Sequence, residues 1–146
     1  MHVMTDRLVV GNIYDAERPP ASVGSLLLVA GECSIVPPVG LDFELIPLKE
    51  HAQVDAVVLA RAVNWLEQHV PANKTMICCR AGMGRSVSVA MAYLCCVERM
   101  AYDDALNLAL IRRPGALPLP QLRSTIEMVD MIRRGATNAC PPPAPG

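Results

Sequence analysis

Residues 76–89 read MICCRAGMGRSVSV, an apolar run that ends in two cysteines, crosses a glycine-rich turn and passes Arg85 and Ser86 into a second apolar run. The spacing Cys79, five residues, Arg85 is a weak signal by itself. Its surroundings strengthen it. The run before Cys79 has the composition of a buried strand, and SVSVAMAYLCCVERM after Arg85 has that of a buried helix. Gly82 and Gly84 between them let the backbone turn so that consecutive N–H groups face inward, and such a ring at a helix N-terminus holds an anion. A cysteine at the base of that ring sits in positive potential, which favours the nucleophilic thiolate over the thiol. Arg85 adds a planar fork suited to two phosphoryl oxygens. Thiolate, amide cradle and guanidinium together describe phosphoryl transfer through a cysteine-bound intermediate. Residues Arg80, Ala81, Gly82, Met83, Gly84 and Arg85 would form the phosphate-binding loop.

Working outward, DRLVVGN, SLLLVAG and FELIPL read as short strands. Apolar residues recur at helical spacing from Val54 to Val70. DDALNLALI predicts a further helix with acids in its first turn, and PQLRSTIEMVDMIRR predicts another that opens on proline and closes on two arginines. Strands and helices alternate around one core, so the expected class is α/β, a central mixed sheet flanked by helices. The expected organisation is one catalytic domain over 1–134 and a disordered proline-rich tail over 135–146, where ATNACPPPAPG begins.

Composition narrows the function classes. A chain of 146 residues with 52% hydrophobic and 18% charged residues has the material for one globular core. The formal net charge of −1 carries no polybasic footprint for nucleic acid or anionic membrane. There is no membrane-span-length apolar run, which points to a cytoplasmic protein with reduced thiols. Six cysteines without a C-x-x-C pair, and only three histidines, give no metal-ligand pattern, so neither a metal nor a cofactor is expected. No feature sets an oligomeric state.

The loop resembles the signature of the cysteine-dependent protein tyrosine phosphatases, especially the small dual-specificity subfamily, and so implies a protein tyrosine phosphatase-like fold. The resemblance extends to RLVVGNIYDA, similar to that family's opening strand, to ELIPLKEH, similar to its acid-bearing loop, and to RRPGALPLPQ, similar to the segment after the loop in small microbial members. It implies that Cys79 is the nucleophile, Arg85 the phosphate clamp and Ser86 the hydroxyl that steadies the departing thiolate. It matches Gln121 to a glutamine that places the hydrolytic water in some relatives. A phosphorylated protein would be the substrate.

Two positions depart from the pattern. Cys78 stands where the family has histidine, and the acid loop offers Glu50 where the family has aspartate. Glu50 is favoured as general acid, with Asp55 and His51 as rivals; Asp55 also suits the start of the following helix through the dipole alone. Arg80 reads as solvated. Cys95 and Cys96 lie in an apolar helical run and read as packing. Competing functions are a non-catalytic phosphate-reading module, a sulfurtransferase, and a phosphoinositide or RNA 5′-phosphatase using the same loop.

Overall fold

The computed structural model describes residues 1–137. Its elements are β1 (His2–Val3), β2 (Leu8–Gly11), α1 (Ile13–Glu17), β3 (Ser25–Leu28), β4 (Asp42–Leu45), α2 (Ala56–His69), β5 (Thr75–Cys78), α3 (Arg85–Cys96), α4 (Tyr102–Arg112) and α5 (Leu122–Thr137). The five strands form one mixed sheet in the order β1-β2-β5-β3-β4, antiparallel only between β1 and β2.

Strands β2, β3 and β5 are buried along their whole length. Parallel strands covered on both faces need unbroken apolar runs rather than alternation, and LVVG, SLLL and TMIC meet that demand. The edge strand β4, DFEL, is only partly buried and carries two acids. Helix α3 is apolar from Val89 to Cys96 apart from the Tyr93 hydroxyl and carries Arg85, Ser86 and Ser88 in its first turn, and its residues 85–94 are buried against β2 and β5 and among α2, α4 and α5.

The register decides where the site forms. Gly11, Cys78 and Leu28 lie level across β2, β5 and β3, and Leu45 lies level with Leu28 on β4. These four strands are parallel, so the chain leaves all of them along one edge of the sheet. Segments 12–13, 29–32, 46–51 and 79–85, far apart in sequence, therefore meet there. Cys78 ends β5 and Cys79 follows it; β5 sits between β2 and β3, the position where open α/β sheets gather their ligands.

The expected strands and longer helices are present. Elements β1 and α1 were not foreseen. Helix α1 is marked by a capping box in which Asn12 Oδ1 accepts from Asp15 N at 2.9 Å and Asp15 Oδ2 accepts from Asn12 N at 3.0 Å. Asp55 proves to be the N-cap of α2 rather than a first-turn residue, and Pro120 precedes α5 rather than opening it. Helix α5 continues to Thr137, three residues past the expected domain boundary at 134, and the tail from residue 138 lies outside the described residues. Among the described residues no helix is long and apolar enough to cross a membrane.

Candidate active site

The turn from β5 into α3 is held by its carbonyls. Arg80 O accepts from Ile13 N at 3.2 Å, and Gly82 O accepts from Arg113 Nε at 3.0 Å. Met83 O accepts from Leu117 N at 2.8 Å, and Gly84 O accepts from Ser88 Oγ at 2.7 Å. These oxygens are committed to α1, to α3 and to the segment from Arg113 to Leu117, and the amides of the loop lie between them. One of them is already engaged: Gly82 N–H donates to Cys79 Sγ at 3.2 Å. Glycine is required at position 82, where φ is +72° and a Cβ would lie 2.9 Å from the carbonyl carbon and oxygen of Gly11. A Cβ on Gly84 would meet Leu117 O at 3.2 Å, a contact only slightly less tight.

Cys79 is buried at the base of this turn, with its thiol sulfur 3.3 Å from Ser86 Oγ. In the thiol form the S–H donates to that oxygen; in the thiolate form the hydroxyl turns its own proton to sulfur. Cys78 is fully buried in β5, and burial pushes its thiol well above the usual range, so it remains a neutral packing group. Burial likewise pushes Cys95 and Cys96 up to about 11, as expected of cysteines that pack.

Arg85, the first residue of α3, is 2% exposed. Its Nη1 and Nη2 donate to Glu32 Oε1 and Oε2 at 2.8 and 2.7 Å, a bidentate pair. Nη2 also donates to Glu50 Oε1 at 2.9 Å and Nη1 to Leu48 O at 3.3 Å. Nε is buried with no partner, the lone such side-chain atom among the described residues. The bonds from Arg85 bring Glu32 down to about 2, and Glu32 in return raises Arg85.

Cys79, Ala81, Met83, Gly84 and Arg85 line a cavity of about 200 Å³ together with Glu50, His51, Leu117 and Leu119. Glu50 is 44% exposed and pairs through Oε2 with His51 Nε2 at 3.1 Å. His51 holds a left-handed backbone (φ 59°) at the turn, a conformation disfavoured for a residue with a Cβ. Of the sequence candidates, then, Glu50 and His51 share the cavity with Cys79. Asp55 does not. It lines a separate hollow of about 490 Å³ with Lys49, Gln53 and Val58, and its Oδ1 accepts from Val57 N at 2.8 Å and Val58 N at 3.3 Å. Gln121 is exposed, precedes α5 with φ 58° and is not among the cavity's lining residues; its carbonyl accepts from Thr125 N. Arg80 is exposed.

Four contributing residues were not foreseen. Glu32 belongs to no motif, although a carboxylate just past the end of a buried parallel strand points to that edge of the sheet. Arg113 holds the loop from outside, and its place in RRPG, straight after a helix, was the available signal. Leu117 and Leu119 give the cavity its apolar surface.

No protein-family profile and no curated protein matches the chain. Solved structures do. Human DUSP28 superposes with a TM-score of 0.80 at 18% identity, covering 93% of this chain and 99% of its own. Tk-PTP in its active form gives 0.75 at 16%, covering 88% and 95%. The human tyrosine phosphatase-like serine/threonine/tyrosine-interacting protein gives 0.78 at 14%, covering 92% and 97%. Over nearly its whole length, the chain shares the fold of the small dual-specificity phosphatases.

Proposed function

We propose that this protein is a cysteine-dependent phosphatase that hydrolyses phosphotyrosine, and phosphoserine or phosphothreonine, in proteins. The observation that carries this reading is the buried Arg85 with an unpartnered Nε, in one cavity with a cysteine whose sulfur already accepts a loop amide. A buried donor without a partner costs roughly 1–3 kcal/mol, and an oxyanion in the cradle would relieve it.

In the proposed mechanism Cys79 Sγ attacks phosphorus in line as the bond to the leaving oxygen breaks. Loop amides and Arg85 hold the three non-bridging oxygens, and Glu50 gives its proton to the leaving oxygen. Water then attacks the cysteinyl phosphate, Glu50 takes up a proton from it, and Ser86 Oγ–H donates to the departing thiolate. Phosphate leaves with the starting state restored. Leu117 and Leu119 offer an apolar surface to an aryl leaving group.

The rival reading, a phosphate-reading module without turnover, draws on Cys78 in the place of histidine and on a structural neighbour whose name describes it as phosphatase-like. Turnover separates the two. The protein should hydrolyse phosphotyrosyl peptides and p-nitrophenyl phosphate in the presence of a chelator. Cys79→Ser should abolish turnover and retain oxyanion binding, because the amide cradle survives it. Wild-type activity in purified Cys79→Ser would refute the mechanism; intact oxyanion binding by a wild-type protein with no turnover would favour the module.

A further inference from the structure

A guanidinium carries five N–H donors, and in Arg85 each can be assigned. Glu32 spans Nη1 and Nη2 and so fills the end-on fork, while the remaining hydrogen of Nη1 goes to Leu48 O. The second hydrogen of Nη2 lies on the same side as Nε–H, and these two form the side-on fork. Glu50 Oε1 holds the Nη2 prong, and the Nε prong is vacant. Arg85, Glu50 and Cys79 line one cavity.

We infer that Glu50 is an internal stand-in for the substrate's phosphoryl group: its carboxylate holds one prong of the Arg85 fork that the substrate takes, and substrate binding displaces it. This rests on the phosphatase reading. The two carboxylates are unequal in the way this exchange requires. Glu32 makes two short bonds to Arg85 and stays in place as the anchor. Glu50 makes one, leaves the adjacent Nε unsatisfied, and has its other oxygen on His51; the two carboxylates are alike in exposure, so the difference lies in these bonds. A phosphoryl group brings two oxygens with more charge, fills both prongs and satisfies Nε. The charged groups facing Glu50 are Arg85 and, across the shared guanidinium, Glu32, and the titratable ring of His51 lies on its other oxygen. Once displaced, the Glu50 carboxylate takes up a proton from the entering phosphate monoanion and stands at the mouth of the cavity, placed to give that proton to the leaving oxygen.

The test is titration calorimetry of tungstate into Cys79→Ser, alone and combined with Glu50→Gln or Glu32→Gln, each variant checked for folding by its thermal melt. Removing the competing carboxylate should tighten tungstate by up to about fivefold, the upper end for an ion pair with one half-exposed partner. Glu32→Gln should weaken it, because Arg85 loses its anchor. In the protein with Cys79 intact, Glu50→Gln should lower KM and kcat together for p-nitrophenyl phosphate. Unchanged or weaker tungstate binding in Glu50→Gln overturns the inference and leaves the phosphatase reading standing. Equal tightening by Glu32→Gln also overturns it, because the effect would then be net charge alone. No tungstate binding by any folded form overturns the phosphatase reading and this inference with it.

Discussion

The loop 79–85 and the loop 46–51 meet at the same cavity but are built differently. In the first, four carbonyls are tied to other parts of the chain, the reactive side chains are buried, and one glycine is dictated by φ and by close contact with β2. In the second, Lys49, Glu50 and His51 are exposed, and the proposed acid is held at its tip by an ion pair with Arg85 and a contact with His51 Nε2. The contrast separates two tasks. Binding a phosphoryl group requires donors fixed in advance, so the backbone supplies them and the fold holds them. Delivering a proton requires a group that approaches and withdraws, and a side chain on an open loop can do so. Gly82 is correspondingly fixed by its backbone in the first loop, whereas on the proposed reading the second leaves a glutamate room to act as the acid.

Breaking the rigid side should have the largest effect. Gly82→Ala places a Cβ on a left-handed backbone, which costs ~1–2 kcal/mol before any contact is counted. That Cβ also falls 2.9 Å from the Gly11 carbonyl, in backbone that cannot swing aside as a flexible side chain would. The loop must then leave β2, and the amide facing Cys79 leaves with it. Both tungstate affinity and turnover should be lost while the far-ultraviolet circular dichroism stays native. A Gly82→Ala protein with normal tungstate affinity would show that the cradle does not depend on this turn.

Loosening the adaptable side should give a smaller, substrate-dependent effect. Glu50→Gln removes the proton donor and leaves the cradle intact. An acidic phenol leaves without a proton, whereas tyrosine, with a pKa near ~10, needs one. Positioned general acids contribute about 10²- to 10⁴-fold, so kcat for phosphotyrosyl or phosphothreonyl peptides should fall by about that factor and p-nitrophenyl phosphate by far less. Equal slowing of both substrate types would deny Glu50 the role of acid.

The same division explains what could be read from the sequence. Cys79, the glycines, Arg85 and Ser86 are contiguous, so strand, turn and helix start declare themselves in one stretch. The strands LVVG, SLLL and TMIC are legible because burial on both faces demands continuous apolar runs. Glu32 was not legible. It reaches Arg85 only because β3 and β5 are paired in a register that sets Leu28 level with Cys78, and no local pattern encodes that pairing. Arg113 was missed for a related reason: its bond is to a backbone carbonyl, and any well-placed donor could have made it. Helix α1 escaped notice because it spans only five residues, too short for a periodicity to appear.

The smallest effect concerns Asp55, the rival acid, and separates structure from chemistry at one position. Its Oδ1 accepts from the first free amides of α2, so the carboxylate is committed to capping. Capping needs a side-chain oxygen, not a titratable proton, and asparagine caps about as well as aspartate. Asp55→Ala should therefore lower stability by ~1 kcal/mol, while Asp55→Asn should leave it nearly unchanged. Neither should alter the leaving-group dependence, because Asp55 is not in the cavity with Cys79. If Asp55 were the acid, the order would reverse: Asp55→Asn would keep the melting temperature and lose the phosphotyrosyl rate. Thermal melts and paired rates on p-nitrophenyl phosphate and a phosphotyrosyl peptide decide it, since a cap shows only in the first measurement and an acid only in the second.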